Sequence, residues 1–143
     1  MKKILGTLGI LVLSLVLAAP FQLTAAQADK IALEVNKVEQ RESGCLFYLV
    51  VANNQPTDFQ VLKLDLVLFD LDDIIIRRIV ANLAPLPENK TSVKLFEIPN
   101  AQCSQVGKIL INEALECSST NGEEANCLSA ISPSSKTGIE LFF

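Results

Sequence analysis

The chain has 143 residues, half of them hydrophobic, with 12 basic and 16 acidic side chains and no histidine. A net charge of −4 with no Lys/Arg cluster argues against nucleic acid or anionic lipid as a partner, since both are held by grouped cations. The missing imidazole removes the commonest general base, and with it histidine triads and histidine-bearing metal sites.

The N-terminus reads MKKILGTLGILVLSLVLAAPFQLTAAQADK. Lys2 and Lys3 form a positive n-region, Ile4 to Ala19 an apolar h-region, and Ala26 and Ala28 are the small residues that signal peptidase accepts. Cleavage is expected after Ala28, making 1–28 a secretory signal peptide and 29–143 a single β-sandwich domain. The alternative is an uncleaved anchor, but a membrane span needs about 20 apolar residues and this run is shorter. No Cys follows the h-region to carry a lipid, and Lys2-Lys3 is not a twin-arginine pair. Losing Lys2 and Lys3 leaves ten basic against 16 acidic residues, a net charge of −6. No later segment is apolar for long enough to cross a bilayer, so the expected product is periplasmic or secreted, with no integral membrane span.

Seven short strands follow, marked by alternation, β-branched residues and intervening turns. KIALEVN alternates Ile31, Leu33 and Val35 against polar neighbours, as a half-buried strand does. CLFYLVVANN is apolar on both faces and reads as a central strand. FQVLKLDLVLFD sets Leu62, Leu64, Leu66 and Leu68 on one face and a mixed set on the other. IIIRRIVA and NKTSVKLFEI are the fourth and fifth strands. Gly107 to Glu116, GKILINEALE, suits either a helix stripe or a strand, and the short KILIN run after a glycine favours the strand. Ser118 to Ser135 is polar and turn-rich, with room for one helical turn near Glu124 to Ile131. TGIELFF closes the domain, either docked as a final strand or exposed as a partner-binding tail. Seven such strands in about 115 residues imply an all-β, immunoglobulin-like two-sheet sandwich.

The four cysteines, Cys45, Cys103, Cys117 and Cys127, survive signal removal. An even number in an exported chain reads as two disulfides, and the C-x-x-C spacing of a metal site is absent. Of the three possible pairings, 45–103 with 117–127 alone keeps partners at one pole of the sandwich. The Cys…Trp…Cys signature of antibody domains is missing, since the chain has no Trp.

The run LDLVLFDLDDIIIRRI places Asp65, Asp70, Asp72 and Asp73 beside Arg77 and Arg78. Asp70 to Asp73 fall where the third strand must reverse into the fourth, and Asp suits turns because it bonds nearby N–H groups and tolerates positive φ. A weak cation site is the alternative, but the D-x-D-x-D-G pattern of a calcium loop is not present. An acid/base pair of Asp65 with Asp70 would need them on one face, and they are expected on opposite faces. SPSSKTG holds Ser134, Ser135 and Lys136, the residue types of a Ser–Lys nucleophile and base, yet it reads as a loop before a strand. No glycine-rich phosphate loop is present, so neither a cofactor, a metal nor a catalytic residue is expected.

At VLFDLDD, after FYLVVANN, the chain resembles FxLYD-type immunoglobulin-like domains. From Ile31 to about Cys117 it is also similar to a family of exported proteobacterial proteins often labelled "Tat pathway signal sequence domain protein". These resemblances imply a β-sandwich and export, and bring no activity with them. The expected role is a non-catalytic interaction module of the periplasm or cell envelope, its partner another envelope protein. The alternatives are a carrier of a small apolar ligand and a carboxylate- or Ser–Lys-based enzyme.

Overall fold

Strand β1 (Ile31–Gln40) shows why the chain stacks as two sheets: Ile31, Leu33 and Val35 are fully buried while the residues between them reach the surface. The computed structural model describes residues 29–123 and 126–143. The expected signal segment, 1–28, lies outside the described residues, as do Glu124 and Ala125.

Strand β2 (Gly44–Asn53) continues the pattern with Cys45, Phe47, Leu49 and Val51 turned inward. β3 (Phe59–Phe69) buries Leu62, Leu64, Leu66 and Leu68, the face its alternation marked. β4 (Ile75–Asn82), β5 (Lys90–Pro99) and a 3-10 turn at Cys103–Gln105 follow. The ambiguous segment is a strand, β6 (Lys108–Ser119). β7 (Gly122–Glu123), one helical turn α1 (Cys127–Ala130), β8 (Ile131–Ser135) and β9 (Glu140–Phe142) complete the chain.

The fold is the two-sheet β-sandwich of immunoglobulin-like type. One sheet has the order β5-β2-β1-β8, and the other has β4-β3-β6 with β7 and β9 both paired to β6. All pairs are antiparallel except β1 with β8 and β6 with β9. Nine strands stand where seven were expected. The additions are β7, a two-residue return beside the end of β6, and β8, which lies in the stretch expected to be a loop. β8 holds Pro133, whose missing N–H is tolerated only on an edge strand, and an edge is where it sits. Asn126 caps α1, its side-chain oxygen accepting from the Ser129 amide.

The C-terminus is a docked strand. Ile139 and Leu141 are buried and β9 pairs with Lys108 to Leu110. Between the sheets the core closes almost completely. The space bounded by Leu33, Phe47, Leu66, Ile98, Ile109 and Leu141 is about 10 Å³, room for at most one water, whereas ligand cavities run to hundreds of Å³. A carrier of an apolar ligand between the sheets would have to part them.

The disulfides are Cys45–Cys103 and Cys117–Cys127. Cys103 precedes β6 and Cys117 lies near its end, so the bridges staple opposite ends of the sandwich. The first ties β2 to the crossover between sheets, and the second ties α1 to β6.

Candidate functional site

The acidic run forms the tight turn between β3 and β4. Asp70 Oδ1 accepts from the amides of Asp72 and Ile74, both at 2.9 Å, and the Asp70 amide donates to the Ile74 carbonyl. Asp73 stands at φ +64°, the left-handed region that Asp enters more readily than most residues. Lys108 Nζ meets Asp73 Oδ1 at 2.6 Å, and the contact lifts the lysine pKa above its ordinary value. The carboxylate that would be first in any cation site is thus engaged by backbone N–H groups. Among the described residues no three His, Cys, Asp or Glu side chains gather as a metal would need.

Gly107 fixes this turn against the rest of the pole. Its amide donates to the Phe69 carbonyl at 2.9 Å, and a Cβ on it would stand 2.7 Å from the Asp70 carbonyl oxygen. No larger residue lets the two backbones approach so closely.

Asp65 is not brought to Asp70. It lies mid-strand on the outer face of the β4-β3-β6 sheet and is 2% exposed. Arg78 Nε donates to its Oδ1 at 2.6 Å, and Asn112 Nδ2 donates to its Oδ2 at 2.8 Å. The Arg78 hydrogen bond is the main reason its pKa falls below the ordinary carboxylate value. A carboxylate held ionised by a guanidinium is a poor proton shuttle; here it ties β3, β4 and β6 together. The Ser–Lys candidate also separates: Lys136 Nζ lies 3.4 Å from Glu34, while the Ser135 hydroxyl bonds Thr137 Oγ1.

What the turn does present is apolar surface. Leu71, Ile74 and Ile75 are 73%, 62% and 62% exposed, and Ile76 and Val80 are also exposed. Five of the nine large exposed hydrophobic residues among those described therefore belong to one hairpin. The surface continues onto the sheet. Ile75 stands opposite Phe69, and one β-sheet row runs Arg78, Val67, Leu110, Phe142 across four strands. Five exposed apolar side chains on one hairpin, with Asp73, Lys108 and Arg78 close by, are more than the scattered single hydrophobics of an ordinary surface. Sequence reasoning expected the turn but missed this patch, although Ile74-Ile75-Ile76 directly after a solvent-exposed turn was a usable signal.

The backbone edge of β4 is guarded. Arg77 Nη2 reaches the Pro99 carbonyl of β5 at 3.3 Å, and Lys94 of β5 reaches the carbonyls of Ala84 and Pro85 at 3.5 and 3.4 Å. These cations stitch the two sheets along their shared open flank, where a bare strand edge would invite pairing. Comparison of the chain with protein-family models, with curated proteins and with solved structures finds no match in any of the three.

Proposed function

We propose that this is an exported, non-catalytic interaction module of the periplasm or cell envelope, which docks another envelope protein on the β3–β4 hairpin and the adjoining outer face. The observation that carries the reading is the set Leu71, Ile74, Ile75, Ile76 and Val80, five exposed apolar side chains on one hairpin. Burying such side chains at about 25 cal/mol per Å² is the driving force of association, and clustering them on a turn locked by Asp70 limits the entropy lost on docking. Two disulfides suit an oxidising compartment, and the N-terminal Lys2-Lys3 and Ala26-x-Ala28 pattern supplies the route to it. The sequence resemblance to exported β-sandwich proteins points the same way.

The test is a pull-down from an envelope extract of the native host. The bait is the oxidised protein expressed from its full-length reading frame, with cross-linking in situ and mass spectrometry. One reproducible partner, cross-linked to the β3–β4 hairpin, supports the reading. No partner, at a sensitivity that recovers a weak control pair, argues against it.

A further inference from the structure

Strand β6 is paired on one edge along its whole length by β3, but its other edge is covered only at its ends. β9 pairs with Lys108 to Leu110 and β7 with Ser118 and Ser119. Between them, on this second edge, Ile111 to Cys117 pairs with no strand among the described residues. At about 3.3 Å per residue, and with bulges at Asn112 and Leu115 shortening the strand, seven residues make a slot of at most about 23 Å. Beside it runs a groove of about 620 Å³, lined by Val61, Glu113 to Ser118 and Asn126 to Leu128. The second disulfide closes the far end, where α1 is held to Cys117.

We propose that this slot is a second binding site, independent of the hairpin, that takes an extended segment of another protein as an added strand in line with β9 and β7. Three observations carry the inference. First, the outer strands of the two sheets carry features that discourage pairing: Arg77 and Lys94 reach across the β4–β5 flank, and β8 holds Pro133. In the slot none of the lining residues is Lys, Arg or Pro. Second, the slot is continuous with an existing strand, because the residue after Phe142 in the β9 register falls opposite Ile111. Third, the charged side chains that line it among the described residues are acidic. Glu113 and Glu116 are the charged lining residues, each about half exposed and each meeting one cation, Arg78 or Lys63, from the β3–β4 side. Pairing by strand addition draws affinity from main-chain bonds and specificity from alternate side chains. The occupant is therefore an extended segment that alternates basic and apolar residues, its basic side chains toward Glu113 and Glu116 and its apolar ones toward Ala114.

The experiment uses the oxidised full-length gene product with a seven-residue tail of alternating Lys and Val appended after Phe143, which presents the probe at high effective concentration. Amide hydrogen exchange is read by NMR. In the unmodified protein, the amides of Ile111 to Cys117 that do not bond to β3 are expected to exchange as fast as loop amides. The Lys/Val tail slows them at least tenfold, an alternating Glu/Val tail does not, and Glu113→Gln with Glu116→Gln reduces the protection at least fivefold. The proposal is overturned if these amides are already slow in the unmodified protein. It is equally overturned if the Lys/Val tail leaves them fast, or if the two tails protect equally. A free peptide of the Lys/Val sequence, added to the unmodified protein, must perturb the same residues and not β4 or β5.

Discussion

Arg78 on β4 holds Asp65 on β3 at 2.6 Å across the outer face of the sheet, and Asn112 takes the second carboxylate oxygen. The aspartate is buried although it points away from the core, so its ionised form depends on these two partners. Replacing Arg78 by Ala leaves the charge with Asn112 alone and should lower the unfolding free energy of the domain. Arg78→Lys should recover part of this. Denaturant unfolding at neutral pH measures both.

The same pair sets a pH dependence. The folded pKa of Asp65 lies below its unfolded value, with the Arg78 hydrogen bond as the leading cause. Its contribution to stability is therefore fully present above the unfolded value, about 3.9. It is lost as pH falls from there through the lower folded value. Asp65→Asn should lose that slope: its stability curve below about pH 4 should be flatter than the wild type's, while near neutral pH it is the less stable protein. Thermal melts across about pH 2 to 7 give the comparison.

The two disulfides should not be equal. Cys45–Cys103 spans a sequence separation of 58 and Cys117–Cys127 one of 10. Loop-closure entropy gives about 4 kcal/mol for the first and about 3 kcal/mol for the second. Replacing each pair by Ala and measuring unfolding free energies should rank them in that order.

At the turn, Asp70→Ala removes the acceptor of two backbone amides and should cost about 1–2 kcal/mol, whereas Asp70→Asn should retain most of it. Asp73→Val places a β-branched residue at φ +64° and should cost about 1–2 kcal/mol. Gly107→Ala drives a methyl into the Asp70 carbonyl and should cost about 1–3 kcal/mol. Chemical denaturation separates these from the exposed Lys108–Asp73 pair, whose loss should be nearly silent.

Much of this architecture was legible in the chain because one face of each strand is buried. Leu62, Leu64, Leu66 and Leu68 declare a period of two, and the disulfide pairing followed from placing four cysteines on seven strands. β8 was not legible: ISPSS carries one proline and three serines, and it is a strand only because β1 offers it an edge. The environment of Asp65 was also hidden. Its partners come from β4 and from a bulge at Asn112, and strand alternation cannot foresee a bulge. The open stretch of β6 is a property of the whole path, since β7, α1 and β8 carry the chain away before β9 returns to only three residues of that edge.

The β3–β4 hairpin as docking surface is tested most directly by repeating the envelope pull-down with Ile74→Asp and Ile75→Asp together. Both side chains are exposed, so the variant should melt within a few degrees of the wild type. The proposed role predicts that the cross-linked partner recovered by the wild type falls at least tenfold. Undiminished recovery from a variant that melts normally would contradict it.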